Sequence, residues 1–205
     1  LEQMHALSEP TYCRLKHNKN PALLSKLNDL ENVLAVLKSC QKQQDKIMSE
    51  AKLLQIMIYK RRRQLRSEKS LQLVRRVQAC LKRASTFGRL FTLIDDIHKD
   101  LLSAVAEMKK NDVVYLPAQQ TWSYLLYLQL QYLKLLDINR SYCIAAFNHL
   151  SCQFATGMLI PQMVIFMGIM ARIWLLSGSI AEKIQSCYGL VYVSREHFSR
   201  TNSAW

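Results

Sequence analysis

Asp95 and Asp96 stand side by side, the arrangement that a metal ion or a general acid–base pair would draw on. Neighbours on a helix point about 100° apart, however, so a solvated pair ahead of Lys99 is the commoner outcome. The five histidines, His5, His17, His98, His149 and His197, are isolated in sequence and read as surface or satisfied core residues. No Gly-rich phosphate loop, H-E-x-x-H, C-x-x-C pair or G-x-S-x-G is present. The six cysteines, Cys13, Cys40, Cys80, Cys143, Cys152 and Cys187, lie far apart, several inside apolar helical patterns. They read as reduced core thiols of an intracellular protein, not as a disulfide framework. No catalytic residue, metal site or cofactor is expected.

The chemistry that the sequence does offer is electrostatic. Of a net charge of +13, the segment 59–84 supplies +9: ten cations, Lys60, Arg61, Arg62, Arg63, Arg66, Lys69, Arg75, Arg76, Lys82 and Arg83, against the single anion Glu68. Self-repulsion in such a cluster opposes compaction, so its use is to attract an anion. Placed on a helix, Arg62, Arg66, Lys69, Arg76 and Arg83 step by four, three, seven and seven and keep to one line. At about 1.5 Å per residue that line matches several successive phosphates, and arginine favours bidentate phosphate contact and stacking on unpaired bases. The chosen reading is an RNA or DNA backbone surface, with Tyr59 either stacking on a base or capping the core. A solvated helix face is the plain alternative. Such faces mix signs, as residues 90–110 do here, and this segment does not.

Elements must position those cations. The 205 residues are half apolar, and Gly and Pro together number nine (5 and 4), a composition that predicts an all-α protein. We expect one helical domain of about six helices over 22–198, with a flexible or docking N-terminal arm over 1–21 and a polar tail over 199–205. Leu23, Leu27, Leu30, Leu34 and Leu37 form a helical stripe expected to end near Cys40, before the polar "QKQQD". Ile47 onward, with the basic segment, reads as one or two further helices, and Gly88 as a terminator. A helix follows over 90–110, then "NDVVYLP" as a loop, with Pro117 in the first turn of the next helix.

The second half is nearly free of charge: none between Asp112 and Lys134, and only Arg172 between Arg140 and Glu182. Its helices are expected to be covered on nearly every side, by one another, by a partner or by lipid. "GMLIPQMVIFMGIMARIWLLS" is long enough to span a bilayer, but Gln162, Pro161 and Arg172 weigh against insertion. A membrane-embedded protein is thus the lesser alternative to a helical pair closing a core, where Met158, Met163, Met167 and Met170 fill irregular gaps.

Taken in order, "LLQIMIYKRRRQLRSEKSLQLVRRVQACLKR", "YLPAQQTWSYLLYLQLQYLKLLD" and "MLIPQMVIFMGIMARIWLL" resemble the N-terminal domain of the nucleolus and neural progenitor protein family. The resemblance covers about Leu23 to Tyr192. It implies a nucleolar protein of ribosomal RNA maturation and a non-catalytic subunit of the RNase MRP ribonucleoprotein, in which RNA performs the cleavage. By that similarity, 60–69 and 75–83 would hold RNA, and the apolar half would pack the domain or dock on a neighbouring subunit. The resemblance also implies a basic C-terminal extension, whereas here "SREHFSRTNSAW" closes a chain that opens on Leu1. A fragment is expected, with nuclear targeting and part of the RNA affinity outside it. The alternative reading is a helical adaptor whose basic face meets an acidic protein.

Overall fold

The computed structural model describes residues 14–18, 21–61, 69–108, 113–157 and 159–198. Among them are five α-helices: α1 (Pro21–Arg61), α2 (Lys69–Ala84), α3 (Gly88–Met108), α4 (Gln119–Phe154) and α5 (Ile160–Ser194). Short 3-10 turns follow α2 at Ser85–Phe87 and α5 at Arg195–His197, and one antiparallel strand pair joins β1 (Arg14–Asn18) to β2 (Val113–Pro117). The all-α class holds. The expected six helices become five, because α1 does not stop near Cys40 but runs through "QKQQD".

The reason lies in Gln44. It sits on the buried stripe of α1, four residues after Cys40 and three before Ile47, and its Oε1 accepts a hydrogen bond from the Tyr132 hydroxyl. A glutamine with a buried partner holds a core position that its polarity disguises.

The chain divides into two compact units, each discontinuous in sequence. The first comprises Leu1–Lys38, Arg89–Leu130 and Gln185–Trp205. Leu27, Leu30, Leu34 and Leu37 of α1, Leu90, Ile94, Ile97 and Leu101 of α3, and Trp122 and Leu125 of α4 are buried in it. Trp122 stacks on Phe198 at 4.9 Å between ring centroids. Asp95 pairs with Lys38 at 2.9 Å and Asp96 with Lys99 at 3.8 Å, so both carboxylates serve ion pairs.

The strand pair in this unit corrects two expectations. Within the N-terminal arm, 14–18 form β1, and the expected loop at 113–117 is its partner β2, with Arg14 opposite Pro117 and Asn18 opposite Val113. Pro117 therefore closes a strand instead of entering a helix. It suits the end of this two-stranded ribbon because a missing N–H is tolerated at an edge. α4 begins at Gln119, and Thr121 N–H donates to the Ala118 carbonyl at 3.0 Å.

The second unit comprises Ser39–Gly88 and Gln131–Ile184. α2 has a strongly one-sided pattern and buries Leu71, Val74, Val77, Cys80, Leu81 and Ala84. Gly88 does not terminate it. The Ser85 and Thr86 hydroxyls donate to the Lys82 and Arg83 carbonyls, both at 2.7 Å, and Gly88 takes right-handed helical angles at the start of α3.

In this unit α4 and α5 form an antiparallel hairpin. Asn139 donates to Ser177 at 3.3 Å, and Arg140 lies over the Trp174 ring at 4.8 Å. Gly157, at φ 75°, supplies a left-handed turn residue between the two helices, as glycine does at least cost. Arg172, the charge that would be expensive in hydrocarbon, grips Glu50 with Nε–Oε1 at 2.8 Å and Nη2–Oε2 at 3.0 Å.

α5 is, among the described residues, the one helix long and apolar enough to cross a membrane, yet less than half of its most apolar window is buried within the protein. Ile144, Val164 and Leu175 stand exposed, so the chain's own helices supply only part of the expected cover. Of the cysteines described, none is in a disulfide; Cys40, Cys80, Cys143 and Cys187 are buried, but Cys152 is exposed, which corrects its reading as a core thiol. Cys13 lies outside the described residues.

Candidate nucleic-acid interface

The cationic surface is built in the second unit, where the C-terminal end of α1 runs beside α2. α2 presents its cations in two rows about 100° apart around the helix. Lys69, Arg76 and Arg83, each seven residues from the next, form an exposed outer row about 21 Å long at 1.5 Å per residue. Arg75 and Lys82 form the second row, against α1.

That second row lines a groove. Its wider end, about 840 Å³, is bounded by Lys52, Gln55, Ile56, Tyr59 and Lys60 from α1 and by Arg75 and Gln78 from α2. Its narrower end, about 540 Å³, shares Lys52, Gln55, Arg75 and Gln78 and adds Ala79 and Lys82. Tyr59 is 80% exposed, which removes the option that it caps the core and leaves its ring face open at the groove's mouth.

The charges here are unbalanced. Lys52, Lys60, Lys69, Arg75, Arg76, Lys82 and Arg83 have no ion-pair partner among the described residues, whose acidic groups are engaged elsewhere in part: Glu50 with Arg172, Asp95 with Lys38. Lys60 and Arg61 end α1, and Lys82 and Arg83 end α2. Cations in the last turn complement the partial negative charge of a helix C-terminus, which offsets some of their mutual repulsion. The local fold thus tolerates the cluster without neutralising it.

Among the residues proposed from sequence, the structure brings Tyr59, Lys60, Arg75 and Lys82 to the groove and sets Lys69, Arg76 and Arg83 on the outer row. Arg61 is half-buried and turned inward. The Gln162 side-chain nitrogen donates to the Leu159 carbonyl at 2.9 Å, and its oxygen accepts from Arg61 Nη2 at 3.2 Å. Arg62, Arg63 and Arg66 lie outside the described residues. Sequence reasoning missed Lys52. It precedes the dense run by a full two turns, and a signal was available in its spacing: Lys52, Tyr59 and Lys60 are seven and eight residues apart and share a helix face.

Behind the interface, burial shifts several titratable groups. Burial, opposed by the Arg83 charge, raises the Cys80 thiol, whose Sγ donates to the Leu135 carbonyl at 3.6 Å. Burial likewise pushes the Cys143 thiol up to about 12, with a smaller contribution from Cys80. The Tyr132 phenol is raised by burial and packs against Phe87 at 5.3 Å. These groups stay protonated and support the helices. Among the described residues, no group of three or more His, Cys, Asp or Glu side chains is placed to hold a metal ion.

Comparison with protein families matches residues 5–192 to the N-terminal model described as "Nucleolus and neural progenitor protein". No curated protein and no solved structure matches the chain.

Proposed function

The chain belongs to the nucleolus and neural progenitor protein family, and on that premise we propose that it is a non-catalytic, RNA-binding scaffold subunit of the RNase MRP ribonucleoprotein, acting in pre-ribosomal RNA processing. The family's name attaches it to the nucleolus, where that processing takes place. The observation that carries the RNA reading is the α1–α2 groove, with cations on both walls, no carboxylate paired to them among the described residues, and an open tyrosine face at its mouth.

A groove of this kind follows a phosphate backbone and accepts an unpaired base, while giving little sequence discrimination. Specificity then comes from RNA shape and from neighbouring protein subunits. Lys52, Lys60, Arg75 and Lys82 hold phosphates along the groove, Tyr59 stacks, and Lys69, Arg76 and Arg83 bind a second stretch of backbone.

The test is to purify the full-length tagged protein from cells under native conditions and sequence the RNA that accompanies it. Enrichment of the MRP RNA is expected. Robust protein partners that survive ribonuclease, with no enriched RNA, would replace this reading with an adaptor that binds an acidic protein.

A further inference from the structure

The second unit carries another surface, on the α4–α5 hairpin, whose chemistry differs from the cationic groove. An apolar groove of about 330 Å³ runs between the two helices, lined by Ile144 and Phe147 of α4 and by Met170, Trp174 and Leu175 of α5. Ile144 is 49% exposed and Leu175 62%. Large apolar side chains held open at a concave site mark a binding surface more than isolated exposed residues do.

Arg140 stands at one end of it. Four residues before Ile144 on the same face of α4, it lies over Trp174 at 4.8 Å, and its guanidinium is close enough to Gly178 that a Cβ there would meet it at 3.6 Å. It is half-buried, and it has no ion-pair partner among the described residues. Its Nε and the Trp174 Nε1 are both buried donors without an acceptor. The one other cation between Arg140 and Glu182, Arg172, is taken by Glu50.

A partly desolvated guanidinium on an apolar surface is unfavourable unless an anion meets it, and stacking on an indole offsets only part of that penalty. The missing group is therefore an acceptor, next to a site that wants apolar side chains. A nucleic-acid backbone supplies the charge but would have to shed water along the whole groove. An amphipathic protein helix supplies both.

We propose that this groove docks an amphipathic helix of a partner protein, with apolar side chains against Ile144, Trp174 and Leu175 and an Asp or Glu facing Arg140. From Arg140 to Asn148 the wall is about 12 Å long at 1.5 Å per residue, enough for two turns of such a helix read at i, i+3 or i+4, and i+7. The proposal gives the protein neighbours of the subunit reading a place and a chemistry. It rests on that reading only for the expectation that such neighbours exist.

The test uses the full-length protein in cells with the photoreactive residue p-benzoylphenylalanine in place of Leu175, whose exposure lets the substitution leave the core intact. After irradiation and ribonuclease treatment, the crosslinked peptide is sequenced. The expected adduct is a protein segment with apolar residues at three- and four-residue spacing and at least one carboxylate. Its yield should fall about tenfold in Arg140→Gln and recover substantially in Arg140→Lys, as removal and return of a half-buried charge pair would give. Adducts on RNA, on lipid or on a second copy of this chain would overturn the proposal. So would no adduct, or an undiminished yield in a folded Arg140→Gln protein, which would leave Arg140 as a brace for Trp174. RNA crosslinking at the α1–α2 groove, measured in the same cells, reports on the RNA reading separately.

Discussion

Lys52 of α1 and Arg75 of α2 line one groove from its two walls and are shared by both its wide and narrow ends. Together they make the groove cationic along its length. It leads to a distinction between the two rows of α2. Replacing Lys52 and Arg75 together by Gln should weaken binding to a structured RNA at least tenfold at moderate salt, and reduce the salt slope by about 0.7 to 0.9 for each phosphate no longer neutralised. The Arg76→Gln, Arg83→Gln pair removes the same charge from the outer row and should weaken binding less. Fluorescence anisotropy of a labelled RNA across a salt series checks both, and equal losses would show that total charge matters and the groove does not.

Tyr59 should act through its ring. Tyr59→Ala is expected to lose about 1 to 3 kcal/mol of affinity for an RNA with unpaired bases, as the loss of one stacking platform does, while Tyr59→Phe keeps most of it. Neither change should move the thermal midpoint much, because the side chain is 80% exposed. Equal loss in both variants would indicate that the hydroxyl, not the ring, touches the RNA.

Gln44 and Tyr132 hold the second unit together from its interior. Gln44→Leu removes the acceptor of the Tyr132 hydroxyl and should destabilise the protein by about 1 to 3 kcal/mol. In the double variant with Tyr132→Phe, the loss should be smaller than the sum of the single losses, because both halves of the polar pair are then gone. Urea denaturation of the four proteins measures this coupling.

Alkaline pH should loosen the same core. Burial raises the Cys143 thiol from 9.0 to about 12, so between those values the unfolded chain binds fewer protons than the folded one and stability falls as pH rises. Below about pH 8.5 the contribution is complete. One such thiol gives a slope of about 1.4 kcal/mol per pH unit within that window. Cys143→Ala should flatten the slope of stability against pH above 9, as read from urea midpoints across a pH series.

Much of this was written plainly in the chain. The one-sided pattern of α2, with Val74, Val77 and Leu81 against its cations, gave both the helix and its buried face, and the stripe from Leu90 to Leu101 did the same for α3. What hid was whatever depended on distant partners. Gln44 read as a break because its acceptor role is met by Tyr132, which is far along the chain. "VVYLP" read as a loop because its strand partner, Arg14–Asn18, lies in a segment too short and polar to show a period. Gly88 read as a stop because glycine's freedom leaves the choice to its surroundings, and here hydroxyls of Ser85 and Thr86 had already closed α2. The cationic site was legible as charge but not as shape. Only the approach of α1 to α2 separates Arg75 and Lys82 from Arg76 and Arg83 and adds Lys52 to them.

The most direct measurement is to crosslink RNA to the full-length protein in cells with ultraviolet light, wash under denaturing conditions, and map the modified peptides. RNA adducts are expected on the peptides that contain Lys52, Tyr59 and Lys60 and on those that contain Arg75 and Lys82. A protein that emerges free of RNA, or that carries its adducts only on other segments, would contradict it.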